Sequence, residues 1–224
     1  MLYDFHTHTF MSDGVLAPIE LIRRAAVNGY TAIGIADHAG PGTMETSIVA
    51  AQRDAELANE HWDIVAVAGI ELTHVPAASI PELARAAKRA GALYVVVHGE
   101  SPVEPVEPGT NLAAAGCPDV DVLAHPGHIT REVAEAAAGN GVFLEVTARQ
   151  GHSLSNGHVV EVGRAAGAKF LVNSDAHQPG DLLTRERAES VARGAGLSED
   201  ELRLALEENP SELLRRMGLG RPSS

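Results

Sequence analysis

Seven apolar runs in this chain each stop at a residue able to bind a metal ion, and two of them stop at a pair. They read LYDFHTH (His6, His8), IGIADH (His38), VAVAGIE (Glu71), LYVVVH (His98), VDVLAH (His125), GVFLEV (Glu145) and FLVNSDAH (Asp175, His177). In His6-Thr7-His8 the two imidazoles are two residues apart, and such residues share one face of a strand. Both can then reach one ion. A lone pair of this kind is a weak signal. It gains force because Asp13, His38, Glu71, His98, His125, Asp175 and His177 follow, all at run ends or just beyond. The set predicts a polynuclear metal site, the equipment of a hydrolase. Imidazole and carboxylate donors suit Zn²⁺, Mn²⁺ or Fe²⁺, and the single Cys117 excludes an all-thiolate structural site.

Those residues need elements to carry them. Strand-like runs begin near Leu2, Ala32, Ile64, Leu93, Asp121, Val142 and Lys169, spaced by the length of one βα unit. Nearly every strand position is apolar, as in a parallel sheet covered by helices on both sides. Between the runs lie helical patterns at Ala17–Asn28, Thr43–Glu60, Ser79–Ala90, Thr130–Ala138, Ser155–Ala166 and Arg185–Ala195. Ser79-Ile-Pro-Glu82 has capping-box spacing. Two more helices are expected near Glu199–Glu207 and Pro210–Met217. Alternating β and α fits a barrel or an open doubly wound sheet. Donors from all seven strands converge on one point only at a barrel mouth, so a (β/α)7 barrel is expected. The segment Gly99–Thr110 is expected to be a mobile loop beside that mouth. Residues 1–217 read as one domain, and Gly218–Ser224 as a frayed tail.

The motifs HTHTFMSDG, ADH, GIE, the lone His of LYVVVH, AHPG and NSDAH, in that order from Phe5 to His177, resemble those of the polymerase and histidinol phosphatase (PHP) family. The resemblance implies a distorted seven-stranded, TIM-like barrel holding two or three divalent ions. It implies that His6, His8, Glu71 and Asp175 hold the first ion. Glu71 would bridge to a second, held also by His98 and His125. Asp13, His38 and His177 would hold a third. The S-D-G form offers Asp13 where some family members have a His, so the third site is expected to fill only at high metal concentration. Ions sharing a water lower its pKa from about 15.7 towards neutrality, and the resulting hydroxide attacks phosphorus in line. His177 or His38 is expected to protonate the leaving alkoxide when the third ion is absent, and Asp175 to stand at the reacting centre.

Other residues near the run ends carry smaller expectations. Arg149, in EVTARQGH, is expected to point into the mouth and grip phosphate with its fork, the alternative being a surface arginine. Glu145 reads either as a support for a ligand or as a buried carboxylate paired with a neighbour. Asp37 reads as a hydrogen-bonding support. His74, His128, His152 and His158 read as solvated loop residues or supports rather than ligands. Glu100, Glu104 and Glu107 on the Gly99–Thr110 loop could meet a cationic group on a phosphorylated substrate, or simply be solvated.

At 224 residues, with 45% hydrophobic and 21% charged residues, the chain can bury a full core and reads as one soluble domain. A formal net charge of −13 argues against an extended nucleic-acid partner. It leaves a small phosphorylated substrate open, because bound cations invert the local charge. No run approaches the roughly 20 apolar residues of a membrane span. The chain starts on a strand pattern without a signal peptide, and with one cysteine a cytoplasmic location is expected. Four functions compete. They are a metal-dependent phosphomonoesterase resembling histidinol phosphatases; a nucleoside-bisphosphate phosphatase or exonuclease of the same family; a non-catalytic module; and a carbon–nitrogen amidohydrolase. The last usually adds a strand-end lysine, which this chain lacks.

Overall fold

The computed structural model describes residues 1–219. The elements are β1 (Tyr3–Asp4), α1 (Pro18–Val27), β2 (Ala32–Ile35), β3 (His38–Ala39), α2 (Met44–His61), β4 (Val65–Ala68), β5 (Ile70–Leu72), α3 (Ile80–Arg89), β6 (Val95–His98), α4 (Thr110–Ala115), β7 (Val122–Ala124), α5 (Arg131–Asn140), β8 (Phe143–Thr147), α6 (Asn156–Ala166), β9 (Phe170–Asn173), α7 (Arg185–Gly194), α8 (Glu199–Arg203) and α9 (Asn209–Arg216). Every strand pairing among them is parallel. One sheet has the order β1-β2-β4 and the other β3-β5-β6-β7-β8-β9.

Two of the seven expected strands are each divided in two. The register nevertheless carries through the division. Ile35 pairs with Ala68 before it and His38 with Glu71 after it, while Gly69 donates to the Ile35 carbonyl and Glu71 to that of Asp37. The first sheet turns away because Ala36 donates to the Thr7 carbonyl. The ends of the two sheets also meet. Thr7 forms a parallel bridge with Ala176, Phe5 N donates to Asn173 Oδ1, and Ser174 N donates to the Asp4 carboxylate.

Successive side chains on a strand face opposite ways, and the core divides accordingly. Ile33, Ile35, Val95, Val97, Leu144 and Val146 pack with the helices in the larger apolar cluster. Ala32, Val67, Val96, Val122, Phe143 and Leu171 fall in a second cluster with Phe5 and Tyr94, joined by Leu213 and Leu214 of α9. Each valine, leucine, isoleucine and phenylalanine among them contributes roughly 1.5–3 kcal/mol through burial. Along β8, Phe143, Glu145 and Thr147 share the second face. On β6, Val96 and His98 do. On these two strands the residue that follows the apolar stripe on the inner face is polar, His98 on β6 and Glu145 on β8.

Several local expectations are corrected. Ser79 does not form a capping box. A 3-10 turn at Ala77–Ser79 feeds straight into α3, so Ser79 is itself helical and its hydroxyl donates to Pro76 O. The two C-terminal helices run together through a π-helical turn at Leu204–Glu208. That turn absorbs Pro210, which has no N–H to donate, and Asn209 ties it to β9 through the Phe170 carbonyl. The Gly99–Thr110 loop is tied down, and a short helix, α4, follows it. Glu100 accepts from Gly109 N and Asn111 N, and Glu107 from Ala77 N. Both carboxylates serve the backbone instead of facing a substrate. Of the expected tail, Gly218 and Leu219 close α9, with Leu219 N donating to Leu214 O. Residues 220–224 lie outside the described residues. Among the described residues no helix is long and apolar enough to cross a membrane.

Candidate metal centre

Glu71 leaves β5 fully buried and enclosed by imidazoles. His38 Nε2 lies 2.8 Å from Oε2, His6 Nε2 3.3 Å and His8 Nε2 3.6 Å; His98 Nδ1 lies 3.4 Å from Oε1 and His125 Nε2 3.8 Å. Asp175, just past β9, is the second hub. His8 Nε2 stands 3.2 Å and His6 Nε2 3.8 Å from its Oδ1, and His125 Nε2 3.7 Å from Oδ2. Asp13 is half exposed and reaches in from the loop after His8. It lies 3.0 Å from His177 Nε2 and 3.8 Å from His38 Nδ1. All nine residues expected to bind metal are thus brought together.

The backbone is bent to achieve this. His125 and Asp175 adopt φ of +27° and +54°, a region that residues other than glycine enter at a cost of about 1–3 kcal/mol. His74 does the same with φ +54°. Supports surround the donors. Glu145 Oε1 lies 2.7 Å from His6 Nδ1 and accepts from Asn173 Nδ2, while its Oε2 accepts from His125 N. Asp37 accepts from Thr9 N, Thr9 Oγ1 and Ser12 Oγ, fixing the loop that carries Asp13.

Electrostatics follow from that packing. Burial works against the charged form of Glu71, but His38 and His6 outweigh it and hold the carboxyl well below its ordinary range. Asp175 and Asp13 are held down in the same way. Burial pushes His38 down, yet Glu71 prevails and lifts it to about 9. Glu145, Glu71 and Asp175 likewise raise His6 against its burial. For His125 and His152 burial wins, and both are held low.

The donor set leaves lone pairs unused. His6 Nε2, both nitrogens of His8 and His98, both oxygens of Glu71, His125 Nδ1 and Asp175 Oδ1 are buried without an aligned hydrogen bond. Buried polar groups are rarely left so. Groups of His and carboxylate donors within 4.8 Å of one another are His6-His8-Asp175, His6-Glu71-His125, His38-Glu71-His98, His8-Asp13-His38-His177 and His125-His152-Asp175. A cluster of divalent cations would satisfy them, so the residues fit such a centre.

A cleft of about 520 Å³ opens beside this centre, lined by Asp13, Val15, Ser174, His177, Asp181 and the arginines 149 and 187, among others. Arg149 Nη1 donates to Asp175 O, and the same nitrogen lies 3.5 Å from Asp181 Oδ2. It therefore lines the cleft. Arg187 was not anticipated, because on sequence alone it is one charge on the surface of α7. His152 is not a solvated loop residue. It is buried, with its ring 4.2 Å from that of His125. Its only sequence signal is the Gly151-His152 step. His74 contacts Glu104, and His158 contacts the Ile129 carbonyl beside His128, so these read as supports.

No family model matches the chain. Among solved structures, it is similar to a chain in archaeal ribonuclease P bound to mature tRNA, with TM-score 0.64 and 11% identity over 96% of this chain and 89% of that one. It is similar to a proposed histidinol phosphatase, hisK, of Listeria monocytogenes, with TM-score 0.55 and 12% identity over 80% and 97%. It also resembles a proposed metal-dependent phosphoesterase of Bifidobacterium adolescentis, with TM-score 0.52 and 18% identity over 96% of each chain. At such identities the likeness is one of fold, an α/β architecture built on parallel sheets. A stretch of 71 residues, 32% of this chain and 23% of its relative, is 34% identical to the 5'-3' exoribonuclease of Haemophilus influenzae. The uncharacterized protein MJ1295 of Methanocaldococcus jannaschii is 48% identical over 218 residues, 97% of this chain and the whole of that protein. The chain belongs to the same family as MJ1295.

Proposed function

We propose that the chain is a PHP-type, metal-dependent phosphoesterase that hydrolyses a small phosphomonoester, and that its strands form a distorted (β/α)7 barrel. The observation that carries this reading is the set of unpartnered donor atoms on Glu71, Asp175 and the surrounding histidines, beside a cleft walled by Arg149 and Arg187. The similarity to phosphoesterases of this fold supports it. His6, His8, Glu71 and Asp175 would hold one ion. Glu71, His98 and His125 would hold a second, and Asp13, His38 and His177 a third, with zinc, manganese and iron all compatible. Bound divalent ions supply Lewis acidity and an acidified water.

The chain's own residues do the rest. Arg149 offers a planar fork to the phosphoryl oxygens, and its link to the Asp175 carbonyl aims it at the centre. His177 Nδ1 donates to the same carbonyl, which leaves Nε2 facing Asp13 and the cleft. That nitrogen is a ligand when the third ion is bound and the proton donor to the leaving oxygen when it is not. Glu145 fixes the ring of His6. Burial of the hubs keeps bulk water from competing with these contacts.

The test is phosphate release from a panel that includes histidinol phosphate and a nucleoside 3',5'-bisphosphate, with added Mn²⁺ or Zn²⁺ and His8→Ala as control. Release that disappears in the variant is expected. No release from any member by a metal-loaded protein refutes the reading. The local identity to an exoribonuclease favours one second reading, a nucleoside-bisphosphate phosphatase or exonuclease of the same type. Preference for the bisphosphate, or for a short 5'-phosphorylated oligonucleotide, would select it.

A further inference from the structure

Outside the nine donors of the proposed centre, one histidine is placed as they are. His152 follows Gly151, whose φ of +87° and ψ of −54° suit glycine, and an added Cβ there would press on Val103 at 3.2 Å. The turn folds back through Ser153 N, which donates to Arg149 O. It thereby sends Arg149 towards the cleft and His152 into the protein. The His152 side chain is 8% exposed. One ring nitrogen lies within 4.8 Å of donor atoms of His125 and Asp175. Nδ1 is buried with no hydrogen-bond partner, while Nε2 stands 3.8 Å from Glu104 Oε2. A structural histidine in a dry site normally satisfies both nitrogens.

We infer that His152 is a tenth metal ligand, placed to join His125 at the ion proposed for Glu71, His98 and His125, with an oxygen of Asp175 also within reach. The inference rests on the metal-centre reading above. Glu104 is then its positioning carboxylate, since metal-ligating imidazoles commonly turn their second nitrogen to an acidic group. This also gives the acidic loop a purpose. Glu100 and Glu107 pin the loop to backbone amides, and Glu104 is left over the histidines, 4.0 Å from His98 Nε2 and 3.1 Å from His74 Nε2.

The experiment compares metal content and calorimetric affinity for Mn²⁺ and Co²⁺ in the wild-type chain, His152→Ala, His152→Asn, His152→Asp and His8→Ala. The visible absorption of bound Co²⁺ is recorded as well, because it reports the number and kind of ligands. Metal-free melting temperatures identify which His152 variants keep the fold. The expected result is loss of one ion, or a Kd for one ion raised roughly tenfold or more, in His152→Ala or His152→Asn. The Co²⁺ spectrum changes with it, and His152→Asp recovers part of the affinity. Folded His152 variants that bind metal as the wild type does, with an unchanged Co²⁺ spectrum, overturn the inference. If His8→Ala loses metal in that same series, the metal centre stands and only His152 is removed from it. If the wild-type chain binds no stoichiometric metal, both fall.

Discussion

Glu145 Oε1 meets His6 Nδ1 at 2.7 Å, and this contact decides which nitrogen of His6 faces the cluster. With Nδ1 committed to the carboxylate, Nε2 is the atom turned to Glu71 and Asp175. The other oxygen of Glu145 accepts from the backbone of His125. One carboxylate therefore sets the ring orientation of one donor and the chain position of another. Glu145→Ala should weaken metal binding about 10–100-fold, read by calorimetric titration, with the fold retained. Unaltered binding would show that His6 is oriented by its neighbours alone.

Arg149 is expected to act through its fork. Arg149→Ala should lower kcat/KM for the best phosphomonoester by about 10²-fold or more, the loss of a charge-assisted, bidentate contact. Arg149→Lys should recover only part of it, because an ammonium is a point charge. Metal content should be unchanged in both, which separates this role from that of the donors. Steady-state kinetics with metal analysis makes the check.

Tyr94 lies fully buried against two glycines, and its hydroxyl has no hydrogen-bond partner. A Cβ at Gly34 would strike that hydroxyl, whereas one at Gly69 would strike the ring. Gly34→Ala and Gly69→Ala should each destabilise by about 1–3 kcal/mol through overpacking. Tyr94→Phe should be neutral or stabilising, because it removes a buried unsatisfied group. In the double variants Tyr94→Phe should relieve part of the damage of Gly34→Ala, since the ring carbon behind the hydroxyl still lies 2.9 Å from the added Cβ, and leave Gly69→Ala as damaged as before. Denaturant unfolding of the five variants decides it, and equal rescue of both would contradict the geometry.

Glu201 is paired with Arg164 through contacts of 2.6 and 2.8 Å, and Arg164 pulls its carboxyl down to about 2 from an ordinary 4.5. The folded value lies below the unfolded one. The stabilisation is thus complete above about pH 4.5 and is lost as pH falls through about 2. Because the pair is largely solvated, Glu201→Gln should cost only about 0.5–1 kcal/mol at pH 7. The gap to wild type should narrow in melts run at pH 3. A gap that widens on acidification would reverse the sign.

Much of the site could be read from the chain because its donors sit at strand ends, where the two-residue repeat continues from apolar to coordinating side chains. Val96 to His98 shows this, and Phe143 to Glu145 continues the repeat to a supporting carboxylate. The division of two strands was not legible, since it depends on Ala36 pairing with Thr7, far away in sequence. Nor was the merging of the last helices, where a π turn takes up the proline. His152 escaped for a related reason. Its burial is made by a loop closing over it and by a glycine turn behind it, and neither is a property of the residues beside it. Asp175 and His125 were legible as donors but not as bent backbone, because side-chain chemistry announces itself in sequence and left-handed φ values in non-glycine residues do not.

The parallel bridge between Thr7 and Ala176 is flanked on each side by donors: His6 and His8 on one chain segment, Asp175 and His177 on the other. Its neighbouring bond, from Phe5 to Asn173, spans 168 residues. Four of the nine proposed donors therefore come together only when the two strands most distant in sequence meet. The chain must be made at least as far as His177 before these donors can face each other, so the full proposed centre could not form around an ion on a shorter nascent chain. Selection of a metal by the proposed centre would then follow folding instead of accompanying synthesis.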